Sequence, residues 1–164
     1  VPNDGKTPGE IVARGNVVMH GYYNDREATE SCMSDGWFHT GEAAVVHPDG
    51  YVQITDRLKD VIISGGENIS SVEVEATLLR HEAVQECAVV GVPHEKWGES
   101  PHAFIVFKNG QSATPDALRA FCRENMAHFK VPHGFTPITE LPKTATGKIQ
   151  KFVLRKGRAN IAPQ

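Results

Sequence analysis

The stretch DVIISGGENIS, residues 60–70, marks the point at which the character of the chain changes. It opens with a β-branched apolar run, and such a run predicts a buried strand. Gly65 and Gly66 follow directly. Because glycine has no Cβ, this pair allows the backbone to approach a ligand closely, although a plain strand-to-helix turn has the same composition.

The residues after this stretch alternate between helical and strand patterns. SVEVEATLLRH predicts a helix capped by Ser71, with Val72 and Leu79 among the apolar residues at helical spacing. Thr114 is the predicted cap of a second helix, and KFVLRKGRANI predicts a third. The runs AVQECAVVGVP, HAFIVFKNG and GFTPITEL predict strands. Residues 60–164 therefore predict the order β-α-β-β-α-β-α, in an α+β domain long enough to bury its own core.

The residues before the stretch predict only short elements. GEIVARG and NVVMHGYY predict two strands, and DREATESCM predicts a short helix capped by Asn24. HPDG has the chemistry of a turn that joins AAVV to YVQI in a hairpin. Because four short strands and one helix offer little core, we interpret residues 1–57 as β-strands from the edge of a larger N-terminal domain that precedes the chain.

The composition excludes several function classes. With 164 residues, 40% hydrophobic, 23% charged and a net charge of -3, the chain lacks the basic excess that predicts a nucleic-acid partner. No apolar run approaches the roughly 20 residues of a transmembrane helix. The cysteines (Cys32, Cys87 and Cys122) form no CxxC pair, and the eight histidines form no HxxxH pair. We therefore predict no metal site and a reducing, cytoplasmic setting.

The segment PKTATGK, residues 142–148, places a glycine before a lysine, as phosphate-binding loops do. A Walker loop also needs a glycine five positions before Gly147 and a hydroxyl residue after Lys148, and Pro142 and Ile149 stand there instead. The segment is better interpreted as a flexible loop that presents one lysine to an anionic oxygen. A solvated turn with surface lysines is the alternative.

The segment DGWFHTGE, residues 35–42, predicts a hairpin that ends in the carboxylate of Glu42. A carboxylate in such a position can accept hydrogen bonds from the vicinal hydroxyls of a ribose. The alternative is a surface turn beside a buried aromatic side chain.

Taken together, five segments have an order and spacing that resemble one family. GWFHTGE, DRLKDVIISGGENIS, HEKWGES, HFKVP and LPKTATGKIQK resemble the adenylate-forming enzymes, which comprise acyl- and aryl-CoA synthetases, luciferases and peptide-synthetase adenylation domains. The resemblance covers essentially the whole chain. GGENIS and WGES look most like the branch of medium- and long-chain fatty acyl or aryl-CoA ligases.

The resemblance implies a reaction in two steps. ATP and a carboxylic acid form an acyl-adenylate and pyrophosphate, and the CoA thiol then displaces AMP. A small mobile C-terminal domain, here residues 61–164 with a mixed sheet flanked by helices, swings about a hinge at residues 58–60 between the steps. The ATP phosphate loop, the Mg²⁺ ligand and the acyl pocket lie upstream in this family, so the resemblance implies that this chain is inactive alone.

The resemblance also assigns roles in the adenylation step. Lys148 matches the lysine that stabilises the charge developing at the α-phosphate. Arg57 matches an arginine that contacts the AMP ribose or phosphate, and Lys59 matches the hinge position. Glu42 stands where the family usually has aspartate to bind both ribose hydroxyls.

Other positions match the segments that contact CoA. Gly65 and Gly66 match the loop that lines the pantetheine tunnel, and Trp97 matches an aromatic that packs on CoA. In HFKVPH, Phe129, Val131 and His133 match a segment that holds the CoA nucleotide in some relatives, and Lys130 is a further candidate there.

Two other readings of the sequence stay open at this point. The chain fits the C-terminal part of a module that loads the pantetheine of a carrier protein, or a stand-alone small binding or regulatory protein. The first residue is Val1 rather than methionine, which we interpret as a sign of a fragment. Exposed strand edges in residues 1–57 predict self-association.

Overall fold

The computed structural model describes residues 1–159, and the chain divides into two compact units. The first unit is Val1–Lys59, and the second begins at Asp60.

The first unit is a four-stranded antiparallel sheet with one helix. Its elements are β1 (Gly9–Ala13), α1 (Arg26–Cys32), β2 (Met33–Ser34), β3 (Trp37–Val46) and β4 (Val52–Arg57). The long strand β3 pairs with β1 on one side and with β2 and β4 on the other. The buried apolar residues of this unit are three consecutive residues of β3, namely Ala43, Ala44 and Val45. The sheet of the first unit therefore has a very small core.

The hairpin predicted around HPDG is confirmed. The Gly50 N–H donates to the His47 carbonyl at 2.8 Å, and the His47 N–H donates to the Tyr51 carbonyl at 2.8 Å. Gly50 has a φ of +85°, a left-handed conformation that favours glycine. The turn sets the register of β3 and β4 next to it, and a register shift between Ala43 and Ala44 then places Glu42 opposite Arg57.

Two details predicted near the first helix are wrong. Residues 16–23 form turns rather than a strand, because the Tyr22 N–H donates to the Thr29 hydroxyl at 2.9 Å and this bond directs the segment towards α1. The cap of α1 is Asp25, whose side chain accepts a hydrogen bond from the Ala28 N–H at 2.9 Å. Asn24 adopts a left-handed backbone with a φ of +52°, so it precedes the cap.

The second unit is a five-stranded mixed sheet with helices on both faces, which confirms the predicted fold class. A 3-10 turn at Leu58–Asp60 precedes β5 (Ile62–Ser64), β6 (Glu67–Ile69), α2 (Ser71–Leu78), β7 (Val84–His94), β8 (Gly98–Phe107), α3 (Pro115–Asn125), a 3-10 turn at His128–Lys130, β9 (Gly134–Pro137) and α4 (Lys151–Ala159). The central strand β8 pairs antiparallel with β7 and β5 and parallel with β9. The final helix was predicted to run to residue 161, and its end lies outside the described residues.

The core lies on both faces of this sheet. Cys87 and Val89 of β7 pack in one apolar cluster with Leu118 of α3, while Ala88 and Val90 pack in a second cluster with Leu154 of α4. Successive residues of a strand point to opposite faces, so the run from Cys87 to Val90 is apolar because both faces of β7 are covered there. Burial raises the pKa of the Cys87 thiol to about 12, which agrees with its interpretation as a core residue.

The sequence prediction missed one strand, β6. Gly65 and Gly66 have φ values of +59° and +89°, and they form a two-residue hairpin turn that pairs Ser64 with Glu67. Both the predicted element order and the strand-to-helix alternative are therefore wrong at this point. The helix α2 follows only after β6 ends at Ile69.

The start and buried face of α2 also differ from the prediction. Ser70 caps the helix, because its hydroxyl accepts a hydrogen bond from the Glu73 N–H at 3.3 Å. The hydroxyl of Ser71 accepts a hydrogen bond from Lys151 of α4 at 2.6 Å. Val72 and Leu79 are exposed, and the buried face of α2 is formed by Ser71, Val74, Thr77 and Leu78.

Two features are absent from residues 1–159. No helix there is long and apolar enough to cross a membrane. Over the same residues, no group of three or more histidine, cysteine, aspartate or glutamate side chains is arranged to hold a metal ion.

Candidate functional site

Lys148 lies in a hairpin between β9 and α4. The Thr144 N–H donates to the Lys148 carbonyl at 2.8 Å, and the Gly147 N–H donates to the Thr144 carbonyl at 2.9 Å. Gly147 has a φ of +83°, so a glycine suits the turn. The predicted flexible loop is therefore a hydrogen-bonded hairpin. Lys148 is exposed, and within residues 1–159 its ammonium group has no hydrogen-bond or ion-pair partner.

The base of this hairpin is attached to the second unit. Lys143 Nζ lies 2.8 and 2.7 Å from the two carboxylate oxygens of Glu86 on β7. Leu141 is buried and Ile149 packs against the same apolar cluster. Just after the hairpin, the ammonium group of Lys151 is bonded to Ser71 and to Glu75 in α2. The sheet and α2 therefore hold both ends of the segment that carries Lys148.

Glu42 and Arg57 form an ion pair in the first unit. Arg57 Nε donates to Glu42 Oε1 at 3.0 Å, and both side chains are only partly exposed. The Glu42 N–H donates to the hydroxyl of Thr40 at 3.1 Å. The structure thus brings together two of the residues that the sequence predicts to contact a nucleotide. The Arg57 guanidinium group holds one carboxylate oxygen of Glu42.

Lys59 lies in the 3-10 turn Leu58–Asp60, where the first unit ends. The next residue, Asp60, is buried and accepts a hydrogen bond from Arg155 of α4 at 2.7 Å. The helix that follows the Lys148 hairpin is therefore tied to the first residue of the second unit.

Gly65 and Trp97 are in direct contact. The Gly65 N–H donates to the Trp97 carbonyl at 2.9 Å, and a Cβ added to Gly65 would lie 2.9 Å from Cε3 of the Trp97 ring. Gly66, by contrast, faces open space, with no atom within 4 Å of the position of a Cβ. The ammonium group of Lys96 lies 4.4 Å from the centroid of the Trp97 ring, and the indole is partly exposed. Gly65 thus packs against the Trp97 ring, and Gly66, the next residue of the turn, faces open space.

The segment after α3 borders a cavity of about 320 Å³, which is lined by Arg119, Arg123, His128, Val131, Pro132 and His133. Arg119 is engaged by Asp116 at 2.7 Å. Arg123 has no carboxylate partner within residues 1–159. The pKa of His133 is lowered, first by burial and then by His94 and Arg119, so this imidazole is mainly neutral at pH 7. Arginine therefore supplies the positive charge of the cavity.

The other two residues predicted in this segment lie in the 3-10 turn His128–Lys130. Phe129 is exposed. Both carboxylate oxygens of Glu73 lie 2.7 Å from Lys130 Nζ. The sequence interpretation missed Arg119 and Arg123, whose spacing of four residues on α3 is the signal that could have found them.

Comparison with known proteins identifies the chain. Residues 73–148 match the AMP-binding enzyme C-terminal domain and belong to that domain class. Acetate–CoA ligase CCL3 of Humulus lupulus is 56% identical over 163 residues, which cover 94% of this chain and 28% of that protein. Acetate/butyrate–CoA ligase AAE7, peroxisomal, of Arabidopsis thaliana is 52% identical over 170 residues, covering 99% of this chain and 29% of that protein.

A solved structure agrees with these relatives. ATP-bound MatB from Rhodopseudomonas palustris matches with a TM-score of 0.90 and 33% identity, covering 98% of this chain and 32% of that one. Residues 73–148 therefore form an AMP-binding enzyme C-terminal domain, and nearly the whole chain is similar to one part of CoA ligases and of a structure bound to ATP. It spans less than a third of the length of these three relatives.

Proposed function

We propose that this chain is the C-terminal part of an ATP-dependent, AMP-forming acid–CoA ligase and supplies its adenylation lysine and its CoA-tunnel loop. The observation that carries the proposal is the exposed ammonium group of Lys148, which has no partner among residues 1–159 and is presented by a hairpin whose base is held by the sheet and by α2. A lysine held in this way is a preformed positive charge, and a preformed charge is what a developing phosphoryl anion requires.

In the first step, a carboxylate oxygen of the acid attacks the α-phosphate of ATP and pyrophosphate leaves. Lys148 bridges the carboxylate and α-phosphate oxygens and stabilises the negative charge at phosphorus. Glu42 accepts hydrogen bonds from the ribose hydroxyls while Arg57 orients its carboxylate. Glutamate is one methylene longer than aspartate, so its carboxylate needs the bond to Arg57 to hold a single position. Mg²⁺ would bind together with ATP. Lys148, Glu42 and Arg57 are not proposed as its ligands.

In the second step, the thiol of CoA attacks the acyl carbon and AMP leaves. We propose that Gly65, Gly66 and Trp97 border the path of the pantetheine arm, because Gly66 faces open space beside an exposed indole. The arm is a narrow chain of amide groups and methylenes, so it needs little width, and its methylenes gain contact with the aromatic ring. Lys59 is proposed as the hinge residue between the two steps.

The phosphate groups of CoA are proposed to bind at the cavity that contains Arg119 and Arg123. Lys130 is neutralised by Glu73 and His133 is mainly neutral, so Arg123 is the cation there without a carboxylate partner among residues 1–159. We expect Arg123→Ala to raise the KM for CoA by roughly 10- to 150-fold, since a charge-assisted hydrogen bond contributes about 1.5–3 kcal/mol. Steady-state kinetics with CoA as the varied substrate measure this effect.

A truncated substrate provides the control. Dephospho-CoA lacks one phosphate, so Arg123→Ala should change its KM much less than that for CoA. An equal change for both substrates would place Arg123 away from that phosphate. The same assay addresses a carrier-protein function, because a module that loads carrier-bound pantetheine gains nothing from the phosphates of free CoA.

The proposal also includes the class of carboxylic acid that the enzyme activates and its cellular compartment. We propose a fatty or aryl carboxylic acid, and the names of the two relatives above add acetate and butyrate to the panel that should be tested. Pyrophosphate exchange with ATP, measured for each acid on the complete enzyme that carries this chain, tests the function directly. The absence of exchange with every acid would refute it. We also propose that the 164-residue chain alone has no activity and that the enzyme is cytoplasmic, although AAE7 is named peroxisomal.

A further inference from the structure

Thr144 binds the backbone of Lys148 from both directions. Its N–H donates to the Lys148 carbonyl at 2.8 Å, and its hydroxyl accepts a hydrogen bond from the Lys148 N–H at 3.1 Å. Its own carbonyl accepts a hydrogen bond from Gly147 at 2.9 Å. One threonine thus satisfies both main-chain groups of the lysine that the proposed function makes catalytic.

The hydroxyl of Thr144 makes hydrogen bonds that an apolar side chain cannot make. The hydroxyl has one hydrogen and can accept two bonds, so it can bond the Lys148 N–H and also the Thr146 hydroxyl, which lies 2.9 Å away. A β-branched side chain has few rotamers, so the oxygen is held in position. One oriented oxygen atom therefore holds the Lys148 N–H, in addition to the main-chain bond from the Thr144 N–H to the Lys148 carbonyl.

The hairpin is held differently at its base and at its tip. At the base, Gln150 bonds Pro142 at 2.8 Å, and Lys143 pairs with Glu86. Beyond these contacts, the residues from Ala145 to Lys148 are all exposed and leave the apolar core. The hydroxyl of Thr144 is thus the one side-chain group, among residues 1–159, that bonds the main chain of Lys148.

We propose that Thr144 is a positioning residue for the adenylation step, acting through Lys148. The inference rests on the proposed function, because it gives Thr144 a role only if Lys148 contacts the reacting phosphate. Displacement of a catalytic group by about 1 Å can cost about 10²-fold in rate. Thr144→Val keeps the shape and the branch of the side chain but removes the oxygen that holds the Lys148 N–H.

The expected result in the complete enzyme is a loss of about 10- to 100-fold in the kcat of acyl-adenylate formation. The KM values for ATP and the acid should change less than threefold, and thioester formation from supplied acyl-adenylate should be unchanged. Thr144→Ser restores the oxygen and should recover most of the adenylation rate. If the substitution merely loosened the fold, the rates of both half-reactions would fall. Thr144→Ser and Thr144→Val would then have similar adenylation rates.

The matched control is Thr146→Val, which removes the neighbouring hydroxyl but leaves the bond between Thr144 and Lys148 intact. It should stay within about threefold of the wild-type rate. In the 164-residue chain, amide hydrogen exchange at Lys148 supplies a second measurement. Thr144→Val should speed that exchange at least tenfold, while Thr146→Val should not.

Two outcomes separate the inference from the function on which it rests. If Lys148→Ala stops adenylation but Thr144→Val adenylates at the wild-type rate, the positioning role is wrong and the proposed function stands. If Lys148→Ala itself adenylates normally, the proposed function is wrong and the role of Thr144 is lost with it. Slower exchange at Lys148 in Thr144→Val would also overturn the inference.

Discussion

Lys148→Ala, in the complete enzyme, is expected to lower the rate of acyl-adenylate formation by at least 10²–10³-fold, the loss found when one preorganised donor is removed from an anionic transition state. Thioester formation from supplied acyl-adenylate should keep more than half of its rate. The reason is that negative charge shifts among the oxygens around the α-phosphorus in the first half-reaction, whereas the second begins with the adenylate already formed. Pyrophosphate exchange measures the first half-reaction, and AMP release after addition of CoA measures the second.

The control is Lys108→Ala, which removes a lysine from another exposed turn of the same unit. It should leave both half-reactions unchanged, which excludes a general effect of lost positive charge. Lys148→Arg tests the geometry, because a guanidinium group is wider and planar whereas an ammonium group is a compact point charge. We expect it to recover only a small part of the adenylation rate. Equal losses of both half-reactions in Lys148→Ala would contradict the role assigned to this lysine.

Strongly periodic elements could be predicted from the sequence because their signals are local. The cap at Thr114, whose hydroxyl accepts a hydrogen bond from Ala117 at 3.2 Å, predicted the start of α3 correctly. The apolar run in β7 predicted a strand, and the structure shows that both faces of this strand are covered. The errors have a tertiary origin. Residues 16–23 are turned by a bond to Thr29, and Ser71 does not cap α2 because its hydroxyl bonds Lys151 instead.

In the candidate site, too, local sequence patterns predict some features, whereas others depend on residues that are distant in the sequence. Single residues with motif roles, such as Lys148 and Trp97, could be named from the sequence alone. The partners that decide their properties come from distant parts of the chain. Lys130 is neutralised by Glu73, 57 positions away, and no local pattern contains this pairing. The sequence named Lys130 and His133 in this segment, whereas the structure also places Arg119 and Arg123 on the cavity beside His133.

Gly66→Leu is expected to have the opposite kinetic effect to Lys148→Ala. The rate of thioester formation should fall about 10²-fold or more, because a bulky side chain enters the proposed path of the pantetheine arm and displaces the thiol. Adenylate formation should stay within about threefold of wild type, since the first half-reaction uses no CoA. Pyrophosphate exchange and CoA-dependent AMP release measure the two rates, and a raised KM for CoA is expected alongside the lower rate.

Gly110→Leu is the matched control for this prediction. Gly110 has a φ of +75° against +89° for Gly66, and neither position has an atom within 4 Å of an added Cβ. Leucine should therefore cost each variant about the same free energy of unfolding, on the order of 1–2 kcal/mol for a left-handed residue. Only the variant on the proposed tunnel should lose thioester formation. If Gly66→Leu forms thioester as fast as Gly110→Leu does, the open space beside Trp97 is not the path of the pantetheine arm. If both lose the reaction equally, backbone strain and not obstruction is the cause.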